Sequence, residues 1–556
     1  MSLTAGMKRA ARALSGALWI IPAAFLAGFF LLPLGNILLV MITRGGLVSL
    51  NGILQPLWFT LWQALLSTVL TLLVGLPAAF VTVRYRFAGK GLLRLLATLP
   101  FILPTVVVAA AFTALLGPRG LLNQWLMEAL HLATPPIAFM NTLGAILLAH
   151  VFYNTSVVMR VVGSSLAQLD ARYEQAGQVL GGSPWRVFRE VTLPLLQPSI
   201  LAAALMVFLF DFTSFGVILL LGGPKFATLE VAIYTQTLSM LNLRMAGILT
   251  LIQLACTLGI TLFYGKLNSQ RDIPLMPRLK GEGVRKPQSA LEKTAVVIMV
   301  VLLVLLFTTP LAALALRSVI NGDPAQPLTL LFYRSLFQNP NSSYFYVPPM
   351  RAALNSLAFA AVTVLISIGF GLPAAYALAR KRGIKRWLDP LIMLPLGTSA
   401  VTLGLGFLIT FNRPPLDVKS FPLLIPLAHS LVALPFVVRT LQPALASIPA
   451  ALLQSAASLG ASPWRVWAEV EAPIVRRAVL VGAIFSFTIS LGEFGATSFL
   501  ARPETPTLPV AIYRFLSQPG ELNYGQAMAM ATLLMLICAA AIAFLDRLQG
   551  EERREI

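Results

Sequence analysis

Charge is scarce in this sequence. Of its 556 residues only 11% are Asp, Glu, Lys or Arg, less than half the roughly 25% of a soluble globular chain. Such a chain cannot cover its own surface in water, and the disordered and collagen-like classes are excluded with it. Cysteine is scarcer still. Cys256 and Cys538 each lie inside an apolar run, so they form neither a disulfide framework nor a thiolate metal site and read as small core residues. No G-x-x-x-x-G-K-[ST] run occurs, so the chain lacks a phosphate-cradling loop and is not expected to hydrolyse ATP. There is no H-E-x-x-H, no paired catalytic carboxylates and no Cys/His cluster. No catalytic set, cofactor or metal is expected on this chain.

What is abundant is apolar: 57% of residues are hydrophobic and the mean hydropathy is +0.82. An α-helix needs about 20 mostly apolar residues to cross ~30 Å of hydrocarbon. Twelve candidate spans satisfy this: Ala17–Ile42, Trp58–Val83, Leu95–Leu116, Ile137–Met159, Ile200–Leu221 and Ala246–Tyr264, then Thr294–Leu316, Leu354–Leu378, Leu388–Phe411, Pro422–Val438, Ala478–Leu500 and Gln526–Leu545. The first is too long for a signal-peptide core and is read as retained. With the N-terminus inside, inner segments hold 30 of the 41 basic residues, from Lys8, Arg9 and Arg12 to Arg380, Lys381 and Arg382. Both termini therefore face the cytoplasm. The net charge of +20 is a topology signal, and no nucleic-acid partner is expected.

The chain repeats itself. At an offset of 279, Ser183-Pro184-Trp185-Arg186-Val187 recurs as Ser462-Pro463-Trp464-Arg465-Val466, His150 as His429, and Arg160 as Arg439. Upstream, Gly75-Leu76-Pro77-Ala78-Ala79 returns from Gly371 at an offset of 296, because the outer segment around Gly117–Pro136 is longer than its partner around Asn412–Ser420. The expected fold is an all-α integral membrane protein of about 12 transmembrane helices, two parallel six-helix domains at 1–265 and 294–556. The Pro-, Gly- and basic-rich segment 266–293 reads as a cytoplasmic linker. Parallel halves make a central pathway between them the natural place for a solute.

Between the fourth and fifth helix of each half lies a cytoplasmic segment of unusual order. In the first, a helix-compatible run through Gln175, Ala176 and Gly177 meets Gly181-Gly182, a stop suited to positive φ. Ser183 as N-cap and Pro184 at the first helical position then start a short helix carrying Trp185, Arg186 and Phe188, with Pro194 limiting its extent. The second copy has Gln454-Ser455-Ala456, Gly460, Ser462, Pro463, Trp464, Arg465, Trp467 and Pro473.

This spacing resembles the EAA loop of bacterial ATP-binding-cassette importer permeases: an E-A-A triplet, a Gly six residues after its Glu, then a hydrophobic residue and L-P. Gln175 and Gln454 stand where that family has Glu, and Ala472-Pro473 where it has Leu-Pro. The resemblance implies that each loop docks on one of two copies of a separate ATPase subunit, which binds the ATP and magnesium. It also implies a periplasmic or lipid-anchored solute-binding protein and a multi-pass location in the bacterial plasma membrane, in contact with lipid. A fused pair of permease domains looks most like the thiamine and ferric-iron importers. Leu221-Gly222-Gly223-Pro224 with Leu229-Glu230-Val231-Ala232-Ile233-Tyr234, and Ser490-Leu491-Gly492-Glu493-Phe494-Gly495, are more similar to the thiamine type.

The competing class is an ion-coupled secondary transporter, which needs a relay of buried ionisable groups. Candidates are few. Asp211 and Glu493, mid-span on the corresponding fifth and eleventh helices, are expected along the pathway, where they would favour a cation over an anion. His150 and His429 read as packing or hydrogen-bonding residues.

Overall fold

The computed structural model describes residues 19–223, 225–269, 284–320, 328–338, 348–380, 382–414, 416–417 and 420–552. Lys8, Arg9, Arg12, Pro224, Lys381 and residues 270–283, half of the expected linker 266–293, lie outside them. Among the described residues, eleven helices are long and apolar enough to cross a membrane, twelve if one bent pair counts as a single span.

The first half begins with α1 (Ile20–Thr43) and α2 (Leu50–Arg84). After them come α3 (Lys90–Ile102), α4 (Thr105–Leu116), α5 (Leu121–Leu130) and α6 (Leu143–Gln168). Next are α7 (Ala171–Val179) and α8 (Pro184–Phe212), then α9 (Gly216–Leu221), α10 (Leu229–Leu238) and α11 (Leu243–Ser269). The second half opens with α12 (Ala290–Arg317), α13 (Leu331–Ser335), α14 (Pro349–Arg380), α15 (Arg382–Met393) and α16 (Ala400–Thr410). A two-stranded antiparallel hairpin, β1 (Asn412–Arg413) and β2 (Leu416–Asp417), leads to α17 (Leu424–Ala446) and α18 (Ala450–Ser458). Last come α19 (Pro463–Gly492), α20 (Thr497–Leu500), α21 (Leu508–Leu516) and α22 (Glu521–Glu552).

Three features differ from the sequence reading. The third span of each half is broken. Leu103 is extended because it precedes Pro104, which drives it out of the helical region. At the matching place Thr398 and Ser399 separate α16 from the preceding helix, a bend of 98°. The fifth span is broken as well: α8 stops at Phe212 and α19 at Gly492, so Asp211 and Glu493 sit at helix ends rather than mid-span. Finally, Pro194 and Pro473 do not end the short helices that begin at Pro184 and Pro463. Each helix continues into the fifth span, unbroken from Pro184 to Phe212 and from Pro463 to Gly492. A wider π turn at Phe188–Thr192 and Trp467–Glu471, where the N–H of Leu193 reaches the Phe188 carbonyl and that of Ala472 reaches Trp467, absorbs the missing proline donor.

The chain divides into two compact units, and they are not the sequence halves. One comprises Met1–Leu47, Ile233–Leu251 and Leu331–Ile556; the other comprises Val48–Ala232 and Ile252–Leu330. α1 thus belongs with the second half's helices and α12 with the first's. Phe25 of α1 stacks on Phe370 of α14 at 4.2 Å, and Phe307 of α12 meets Phe152 of α6 edge-on at 6.0 Å.

Within each unit the second and fourth helices of a half pass closely because small residues line the crossing, the usual device where lipid removes the hydrophobic drive between helices. A β-carbon on Gly75 would lie 2.7 Å from Val158, and one on Gly371 2.6 Å from the repeat-related Val437. Ala79, Val157, Val158, Val162, Ala203 and Val207 pack α2, α6 and α8 into one buried cluster. Val297, Ile298, Val301 and Leu305 of α12 are exposed, as lipid-facing positions should be.

Candidate functional site

The two inter-helix segments fold alike. Gly181 and Gly460 take φ of +83° and +85°. Gly182 N–H donates to Gly177 O and Gly181 N–H to Gln178 O, while Ala461 N–H donates to Ala456 O and Gly460 N–H to Ala457 O. This reciprocal pair is the Schellman closure of a helix end. Ser183 and Ser462 then accept from the N–H of Arg186 and Arg465 at 3.3 Å, capping α8 and α19 with proline at the first helical position. Trp185 stacks on Phe188 (5.6 Å) and Trp464 on Trp467 (5.0 Å). Gln175, Ala176, Gly177, Gln454, Ser455 and Ala456 lie on α7 and α18, helices with no buried residue.

The tips are apolar and uncovered. Leu180 and Leu459 are 88% and 89% exposed, Trp185 and Trp464 70% and 72%. Arg186 and Arg465 pair along their own helices with Glu190 at 3.0 Å and Glu469 at 2.9 Å. Exposed i,i+4 pairs contribute only ~0.3–0.5 kcal/mol, so these guanidinium groups stay open to exchange.

Each segment is tied to the last turn of its half's second helix by an arginine that sequence reasoning had read only as a topology signal. Arg84 pairs with Glu174, which also accepts from Thr192 Oγ1 at 2.7 Å. Arg380, at the 296 offset, pairs with Glu471. The guanidinium groups lie over Phe80 and Tyr376, 5.6 and 5.3 Å from the ring centres. Position 453, matching Glu174, is leucine, and Glu471 matches Thr192. The acid has changed helices while the arginine has not. The repeat exposes the two arginines; the displaced acid hides their role from a register comparison.

Asp211 and Glu493 come together with the two histidines, one couple in each unit. His150 Nδ1 lies 3.3 Å from Asp211 Oδ1 and 3.1 Å from Ser67 Oγ, and its Nε2 lies 2.9 Å from Ser214 Oγ. Asn154 donates to Asp211 Oδ1 at 2.7 Å, and Gln63 to the Asp211 carbonyl at 2.9 Å. His429 Nδ1 lies 2.8 Å from Ser490 Oγ, and its Nε2 is 3.2 Å from Glu493 Oε2 and 2.7 Å from Thr497 Oγ1. Glu493 further accepts from the N–H of Ala496 and Thr497 at 2.8 and 2.9 Å. All four side chains are buried. A cleft of about 410 Å³ at the hairpin end of α17, lined by Arg413, Arg502, Asp417, Phe411 and Phe499, includes neither couple.

The profile of binding-protein-dependent transport system inner membrane components matches residues 71–319 and again 367–553. The chain belongs to that family. It is a fused permease carrying the domain twice, a transport subunit and not an enzyme. It is 27% identical to the thiamine transport system permease protein ThiP of Salmonella typhimurium over 504 residues, 89% of each chain. ThiP of Escherichia coli K12 is also 27% identical, over 88% of each chain. A probable ABC transporter permease of Sinorhizobium fredii, y4fN, is 27% identical over 88% of this permease and 87% of its own length. A crystal structure titled as a bacterial alginate ABC transporter in complex with an alginate pentasaccharide-bound periplasmic protein shares 18% identity at a TM-score of 0.40, covering 49% of this permease. The permease is an ABC importer component of the thiamine-permease family and a multi-pass inner-membrane protein.

Proposed function

We propose that this permease moves a small cationic solute of the thiamine type, released to it by a periplasmic or lipid-anchored binding protein, with both termini on the cytoplasmic side. Two copies of a separate ATPase subunit, carrying the ATP and magnesium, drive the cycle through the segments around Gly181–Phe188 and Gly460–Trp467. Thiamine is favoured over ferric iron by the names of the relatives, all found over most of the chain's length. The observation that carries the ATPase reading is the pair of apolar tips. Leu180, Trp185, Leu459 and Trp464 project from capped turns with most of their surface bare, in segments read as cytoplasmic from the distribution of basic residues. Large exposed apolar side chains arranged in a patch mark an interaction surface.

Replacing Trp185 or Trp464 with glutamate is expected to leave the permease in the membrane but reduce copurification of the ATPase at least about tenfold, since buried Trp anchors typically carry 2 kcal/mol or more of an interface. The check is pull-down of the ATPase encoded with this permease, alongside uptake of labelled thiamine. Full copurification by both variants would remove the docking role. Uptake by the permease alone, driven by a proton gradient, would replace the whole reading with secondary transport.

A further inference from the structure

The couples His150–Asp211 and His429–Glu493 are not copies of one another. Position 211 matches 490 and position 214 matches 493 at the offset of 279, so the first half has acid then serine and the second serine then acid. The histidine contacts both positions in each half. His150 reaches Asp211 with Nδ1 and Ser214 with Nε2; His429 reaches Ser490 with Nδ1 and Glu493 with Nε2. The acid and the hydroxyl have traded sides of the ring. Each half keeps one carboxylate on its histidine, together with two hydroxyls: Ser67 and Ser214 on His150, Ser490 and Thr497 on His429.

Helix origins are the same in both. The second helix contributes Ser67 or Thr363, whose hydroxyls bond His150 Nδ1 at 3.1 Å and Ser490 Oγ at 3.1 Å. The fourth helix contributes the histidine. The acid comes from the end of the fifth span, at Asp211 in α8 and at Glu493 just past α19. That fifth span starts at Pro184 or Pro463, one residue before Trp185 or Trp464, because α8 and α19 run without a break from the exposed tip. At 1.5 Å per residue, 29 and 30 residues make rods of roughly 45 Å. The tip end carries the exposed aromatic and is tied to the second helix through Arg84 or Arg380. The far end is held by the couple to the fourth helix, with Ser67 on His150 and Thr363 on Ser490 adding the second.

We propose that the histidine–carboxylate couple of each half is the fixed point against which the coupling rod turns. Asp211 and Glu493 are then positioning residues for transport rather than solute contacts. What the half requires is one carboxylate against its histidine, on either side of the ring. A histidine left without its carboxylate loses the contact that ties the end of the fifth span to the fourth helix.

The proposal rests on the ATPase-driven reading, so the test uses the complete importer in proteoliposomes: permease, ATPase and binding protein, with solute uptake and ATP hydrolysis measured together. An unmodified complex with no solute-stimulated hydrolysis would defeat that reading and is distinct from any result on the couples. Given an active complex, Asp211→Ser and Glu493→Ser are each expected to assemble and hydrolyse ATP while transporting at least about tenfold less solute per ATP, a factor of the order that losing one buried hydrogen bond to a carboxylate carries. Asp211→Asn and Glu493→Gln, which keep the side-chain shape, should show the same loss of coupling and serve if the serine variants assemble poorly. The deciding variants exchange the sides: Asp211→Ser with Ser214→Glu, and Ser490→Asp with Glu493→Ser. Recovery of transport per ATP to within about threefold of the unmodified complex in either half supports the couple as the functional unit. Exchange variants that transport no better than the single serine variants in both halves overturn it. So does an Asp211→Asn or Glu493→Gln complex with unchanged transport per ATP.

Discussion

Arg380→Ala is expected to destabilise the permease by about 1–3 kcal/mol, the usual cost of leaving a buried polar group without its partner. Glu471 is 3% exposed and pairs with Arg380; without the guanidinium its charge is stranded between the end of α14 and the π turn of α19. The double variant Arg380→Ala with Glu471→Leu should recover most of that loss, since no charge is then buried alone. Arg84→Ala should cost less, because Glu174 also receives the Thr192 hydroxyl and its side chain is 14% exposed. Thermal melting of the purified permease, followed by the fraction that stays monodisperse, measures all three. An Arg380→Ala protein that melts with the unmodified one would show that the pair contributes nothing.

Gly460→Val is expected to abolish transport while leaving the permease in the membrane. A β-carbon at Gly460 would meet nothing within 4 Å, and the same holds at Gly181, so crowding is not the cause. The cause is the backbone. At φ of +85° an L-residue pays roughly 1–2 kcal/mol, and a β-branched one more. The turn can escape that strain by releasing the Schellman bonds, which would swing Trp464 away from its position beside α18. Gly460→Asn, which tolerates the left-handed region, should retain more uptake than Gly460→Val. Uptake normalised to membrane-inserted protein is the measurement, and a valine variant transporting normally would separate the turn's geometry from coupling.

Much of this architecture is legible in the residues. Span number and the duplication follow from hydropathy and from register at one offset, and the caps at Ser183 and Ser462 follow from Ser-Pro after glycine. What escaped the sequence was set by contacts between distant segments. Pro194 looks like a terminator, yet the π turn before it keeps the helix whole, and nothing local announces a π turn. Leu103-Pro104 and Glu493 fall inside apolar runs long enough to span, so hydropathy carried the helix through breaks that backbone restriction and side-chain capping impose. The Arg84 and Arg380 ties were hidden because an acid that moves from one helix to another leaves no match in the repeat. Asp211 and Glu493 differ from this: they end the same span of each half but lie three residues apart at the offset of 279, a mismatch resolved only by the ring that bridges both positions.

The exchange of α1 and α12 between the compact units bears on how the chain can be divided. Cut within 266–293, it would yield two polypeptides that each lack a helix their own unit requires and each carry one that belongs elsewhere. Neither fragment could bury its surfaces alone. Co-expressed, each would supply the other's missing piece, so activity in the cut protein would depend on complementation rather than on the peptide bond at the seam. Fusion, in this fold, fixes stoichiometry and synthesis in a single molecule. Mutual dependence is already written into where the first helix of each half comes to rest.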